Sequence, residues 1–94
     1  MTNTTDHQPI EQLLRDFIAS SLLYNTEGFP YADDVSFLQE GIIDSLGVVE
    51  LVAFVQKHFG VKVDQQDVTP DNFDSVAKLA AFVRRKLAAT KAQV

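Results

Sequence analysis

The apolar residues of this chain recur with one period over most of its length. Ile10, Leu13, Leu14, Phe17, Ile18 and Leu22 are spaced by threes and fours, which gathers their side chains on one face of a helix. Val48, Leu51, Val52, Val55 and Phe59 repeat the pattern, and Val76, Leu79, Ala80, Val83 and Leu87 repeat it again. No segment alternates as a strand would, apart from short apolar runs in loops, and there are no internal repeats. Helices with apolar stripes must cover them, and 94 residues make one domain in which to do so. The pattern predicts an all-α four-helix bundle with a long first loop and a short third helix.

The punctuation between stripes sets the boundaries. Pro9 suits a first helical position, so residues 1–8 are expected to form a flexible tail, 9–88 the folded domain and 89–94 a second tail. Between Tyr24 and Ile43 there is no period. Asn25, Gly28, Pro30, Asp33 and Asp34 mark turns there. Phe29, Val35, Phe37, Leu38, Ile42 and Ile43 offer anchors that would pin this connection across the bundle. Asp33, Asp34 and Glu40 read as a solvated face. Gly60 is expected to cap the second helix, with Val61 and Val63 plugged into the core. Residues 64–68 have room for one turn, and Thr69-Pro70 opens the short third helix. Asp74 is expected to cap the last one. Arg84, Arg85 and Lys86 fall near its expected end, where cations are favoured.

The second helix carries more than a core face. Asp44 is a good N-cap, and Ser45 then takes the first helical position, where unpaired N–H groups and partial positive charge would favour a phosphate ester. Leu46, Val49 and Ala53 form a second stripe, about 130° round from the first and on the side of Ser45. Glu50, Gln56 and Lys57 lie in the same arc and require water. This face is therefore a candidate docking surface. Phe54 fits neither stripe and is expected to pack on a neighbouring helix or under the long loop.

Several chemistries are poorly served. There is no cysteine, so any thioester chemistry would need a thiol from a prosthetic group. The only histidines are His7 and His58, and His58 lies thirteen residues along the helix from Ser45, about 20 Å away. A nucleophile and its base must be within ~3 Å. No phosphate loop and no cluster with metal-ligand spacing is present. The net charge of −5 disfavours nucleic acid as a partner. It is uneven: residues 1–44 hold eight acids against Arg15 alone, and residues 45–94 hold five acids against seven bases. No apolar run has spanning length, and no leader is evident. These features are read as a cytoplasmic monomer without catalytic or metal-binding residues.

Phe37-Leu38 through Gly41, Ile42-Ile43-Asp44-Ser45-Leu46 and Glu50-Leu51-Val52 together resemble the acyl carrier protein family. The likeness runs from about Ile10 to Leu87 and includes Phe59-Gly60-Val61 and Phe73-Asp74-Ser75-Val76. In that family the serine of an Asp-Ser-Leu motif carries phosphopantetheine. The resemblance implies covalent phosphopantetheine on Ser45, with Asp44 capping the helix and presenting the serine. It implies a partner surface at Leu46, Val49, Glu50 and Ala53. It implies as partners a phosphopantetheinyl transferase, an acyl- or aminoacyl-loading ligase and a downstream acyltransferase or synthase. Gly47 follows the motif, and Gln56, Lys57 and His58 stand where many fatty-acid carriers have acids. That departure points to a carrier for a specialised biosynthetic pathway. An unmodified helical interaction module of the same fold is the alternative.

Overall fold

The computed structural model of the chain describes residues 9–92. All its regular structure is helical: α1 (Ile10–Phe17, continued as a π-helix over Ile18–Leu22), α2 (Phe37–Glu40), α3 (Ser45–Phe59), a 3₁₀ turn (Gln65–Asp67), α4 (Pro70–Phe73) and α5 (Val76–Ala92). The expected flexible tail at residues 1–8 lies outside the described residues, as does His7.

The three stripes meet as the periodicity requires. Leu14 and Ile18 from α1, Leu51 and Val55 from α3, and Val76, Leu79 and Val83 from α5 are fully buried. Removing each such side chain from water contributes roughly 1.5–3 kcal/mol. Phe54, which belonged to neither stripe of α3, stacks on Phe17 of α1 with ring centroids 4.1 Å apart. Val61 is buried behind the left-handed cap Gly60, at φ 70°.

Pro9 is the N-cap of α1 rather than its first helical residue, so the helix starts one residue later than expected, and the Pro9 carbonyl accepts from the N–H groups of Gln12 and Leu13. At Ile18 the ladder widens, so that the Leu23 N–H donates to Ile18 O at 2.9 Å. Tyr24 ends the element at φ 54°, and the Asn25 N–H closes back on Ala19 O at 2.8 Å.

The long connection is tied down by polar groups as much as by apolar anchors. Asp33, expected in water, takes two hydrogen bonds from the Arg15 guanidinium, at 2.7 and 2.8 Å. Its carbonyl also accepts the Ala77 N–H at the start of α5. Phe37 and Ile43 are buried anchors, whereas Leu38 is 65% exposed. The stretch is also less irregular than its sequence implied, because residues 37–40 form α2.

Asp74 caps a helix other than the expected one. Its carboxylate accepts from Ser36 Oγ at 2.5 Å and from the Leu38 N–H at 2.9 Å, and its carbonyl accepts the Phe37 N–H. It therefore holds the N-terminus of α2 from 36 residues away. The cap of α5 is Ser75, whose Oγ accepts the Lys78 N–H at 3.0 Å. Because α5 continues to Ala92, Arg84, Arg85 and Lys86 lie mid-helix rather than in a last turn. They reach Glu11, Asn72 and Asp67 respectively.

Candidate functional site

The site is assembled from two capped helix ends whose caps, Gly41 and Asp44, are separated by two residues. Gly41 terminates α2 in the left-handed conformation, φ 62°, and the Ile42 N–H returns to Phe37 O at 2.9 Å. Ile42 is half-buried and Ile43 is buried. Asp44 is extended, and its Oδ1 accepts the Gly47 N–H at 2.9 Å while its carbonyl accepts the Val48 N–H at 3.0 Å. Ser45 is then the first residue of a 15-residue helix and is exposed. The helix ladder offers no acceptor to the N–H groups of Ser45 and Leu46. An anion held on Ser45 would therefore meet free donors and the positive end of the helix.

Gly47 has a packing reason. A Cβ built there would overlap Ile43 Cγ2 and lie 3.5 Å from Asp44 Oδ1. Glycine thus lets the buried Ile43 side chain close under the first turn, and this fixes the entry angle of the residues before Ser45.

Leu46 is 67% and Val49 63% exposed, and Glu50 and Ala53 are exposed beside them. The second stripe of α3 is thus an apolar surface facing water next to Ser45. On the opposite flank Leu38 and Val68 add further exposed apolar area.

Two clefts border the head of α3. One, of about 300 Å³, has Ser21, Tyr24, Asp44, Leu46, Gly47 and Glu50 among its walls. The other, of about 160 Å³, is almost wholly apolar and lies between Leu38, Val48, Val68, Pro70 and Phe73.

The structure supplies no base to Ser45 from the described histidine. His58 is exposed near the far end of α3, where its ring stacks at 5.0 Å on Phe54. Among the described residues there is no group of three or more His, Asp or Glu that could hold a metal ion. No helix there is long and apolar enough to cross a membrane.

Sequence reasoning singled out Ser45, Asp44, Leu46, Val49, Glu50 and Ala53, and the structure brings them together on one end and one face of α3. It missed Asp74 and Arg15, which hold the connection leading into the site. The signal for Arg15 was present: it is the single base among the first 44 residues, and so had acids to pair with. Asp74 carried no such signal, because Asp74-Ser75 offers two adjacent capping residues and nothing local chooses between them. Tyr24 was read only as the start of a loop.

Known proteins resemble the chain. Residues 12–83 match the family described as "Phosphopantetheine attachment site". A D-alanyl carrier protein of Abiotrophia defectiva is 32% identical over 56 residues, covering 60% of this chain and 71% of that protein. D-alanyl carrier protein 1 of Lactiplantibacillus plantarum is 36% identical over 50 residues, covering 53% of this chain and 62% of the relative. Among solved structures, a chain in one described as the crystal structure of an FAD-dependent dehydrogenase superposes with a TM-score of 0.57 at 36% identity. That match covers 73% of this chain and 96% of the other.

Proposed function

The chain belongs to the phosphopantetheine attachment family, and on that premise we propose that Ser45 is its attachment residue, in a carrier of acyl or aminoacyl groups for a specialised biosynthetic pathway. Position carries this reading. Ser45 is exposed at the head of a long helix, next to an exposed apolar face. The serine of the other Asp-Ser pair, Ser75, is 2% exposed and committed to a cap.

Attachment is assigned to an outside enzyme: the one described histidine, His58, lies near the far end of α3 from Ser45, and the Asp44 carboxylate is engaged in capping Gly47. A phosphopantetheinyl transferase, with magnesium, would form a bond from Ser45 Oγ to the pantetheine-side phosphorus of coenzyme A. The pyrophosphate bond breaks, 3′-phosphoadenosine 5′-phosphate leaves with the electron pair, and the serine proton passes to a base of the transferase. Once attached, the arm supplies the thiol that this cysteine-free chain lacks, on which cargo is held as a thioester.

The chain's own residues then hold and present. The N–H groups of Ser45 and Leu46 face the phosphodiester position. Asp44 keeps the first turn closed through Gly47. Leu46, Val49, Glu50 and Ala53 form the surface that a loading ligase and a downstream acyltransferase or synthase would recognise in the cytoplasm. The D-alanyl carrier relatives support an aminoacyl cargo.

Mass spectrometry tests the attachment. Incubating the protein with coenzyme A, magnesium and a broad-specificity phosphopantetheinyl transferase should add one phosphopantetheinyl group. Ser45→Ala should abolish the gain, and Ser75→Ala should keep it. An unchanged wild-type mass would turn the protein into an unmodified interaction module.

A further inference from the structure

The two clefts beside α3 differ in chemistry, and that difference assigns a resting place to the arm. The smaller one presents almost nothing polar. A pantetheine chain contains two amides, and each would lose its water there without a replacement partner. The larger cleft mixes polar and apolar area, has Ser21, Tyr24 and Glu50 among its walls, and reaches Asp44 and Leu46, the neighbours of Ser45 on either side.

Tyr24 adds an independent observation. It sits at φ 54°, in the left-handed region, at the position ending a helix where glycine or asparagine is ordinarily found. The residue is 82% exposed. The fold therefore holds a tyrosine in a disfavoured backbone conformation, with its ring in water at the edge of this cleft. Strain of this kind clusters at ligand contacts.

We infer that the phosphopantetheine arm folds back into the cleft between the end of the π-helix and the start of α3, with its gem-dimethyl group against the Tyr24 ring and its amides near the Ser21 and Tyr24 hydroxyls. The inference rests on Ser45 being the attachment residue. It makes Tyr24 an arm-positioning residue and leaves the smaller apolar cleft out of the arm's path.

Nuclear magnetic resonance on isotope-labelled protein, before and after loading with coenzyme A and a transferase, tests this once the mass has been checked. Only Tyr24 and Tyr31 contribute tyrosine ring signals, so they are readily separated. The expected result is a mass gain, nuclear Overhauser contacts from the arm methyls to the Tyr24 ring, and shifted amides at Ser21 and Tyr24. Tyr24→Asn, which suits the left-handed backbone, should still gain mass but lose the Ser21 shift. Tyr24→Phe should retain the ring contacts. A mass gain with contacts to Leu38, Val68 or Phe73, or with no contacts from arm to protein, overturns the inference and leaves the attachment reading intact. No mass gain overturns both.

Discussion

The sequence Asp-Ser occurs twice in this chain, and the two copies are used in opposite registers. At 44–45 the aspartate caps α3 and the serine is left in water. At 74–75 the serine caps α5 and is buried, which frees the aspartate to hold α2. The dipeptide alone does not distinguish them; its C-terminal neighbours do. Gly47, two residues after Ser45, admits Ile43 beneath the first turn of α3. Replacing a helical glycine by alanine ordinarily gains up to about 1 kcal/mol. Here the new methyl would overlap Ile43 Cγ2, and overpacking of that kind costs about 1–3 kcal/mol. Gly47→Ala should therefore lower stability by about 1 kcal/mol in a denaturant titration. In an Ile43→Ala background the same change should cost less, because the obstructing methyl is gone. A melting temperature raised by Gly47→Ala would refute this account of the glycine.

Among the elements, α2 is the one the sequence concealed. It is four residues long and carries no period, so pattern reading sees only a loop. Its stability comes from outside: Asp74 accepts one bond from its N-cap serine and one from the Leu38 N–H. Charge-assisted bonds of this type contribute roughly 1.5–3 kcal/mol where buried, and this pair is partly in water. Asp74→Ala should thus cost about 1–2 kcal/mol and speed hydrogen exchange at Leu38 and Gln39 ahead of α3 and α5. Uniform exchange across the chain would show that Asp74 is not the tie. The long helices were legible because each buries a stripe at helical spacing, and the second stripe of α3 was legible for the same reason. Its exposure allows a separate test. Leu46→Asp and Val49→Glu replace side chains already in water, so stability should change by no more than about 0.5 kcal/mol. The KM of a loading ligase for this carrier should rise at least tenfold, with kcat less affected. Because this face is apolar, wild-type affinity should fall only mildly between low and moderate salt. A steep fall would mean that charge, not Leu46 and Val49, directs docking.

Across the whole molecule the core was readable and its outer ties were not. The buried Leu, Ile and Val side chains of α1, α3 and α5 fall at the positions their spacing predicted, though buried Ala19 and Phe82 lay in no predicted stripe, whereas the ion pairs join residues far apart in sequence, which no local pattern reports. Arg84 of α5 reaches Glu11 of α1, Arg15 of α1 reaches Asp33 of the long connection, and Lys86 of α5 reaches Asp67 of the 3₁₀ turn. These ties give the fold a directional response to acid. The Arg84 guanidinium, through its hydrogen bonds, holds the Glu11 carboxyl down at about 2 against an ordinary 4.5. Arg15 lowers Asp33 in the same way, and Asp67 is lowered first by the Asp64 N–H and then by Lys86. A carboxyl that is more acidic folded than unfolded stabilises the fold in full above its unfolded value and loses that contribution as pH falls toward its folded one. For Glu11 the window is therefore from about pH 4.5 down to about pH 2. Arg84 is half exposed, so solvent screening reduces its contribution to about 0.5–1 kcal/mol. Urea titrations of the wild type from about pH 7 to about pH 2.5 should show a plateau and then a steady decline below about pH 4.5. Arg84→Met should lower the plateau by that amount and leave the strongly acidic end nearly unchanged, so that the two curves converge as pH falls. Curves that stay parallel throughout would mean that the Glu11–Arg84 pair does not couple the first helix to the last.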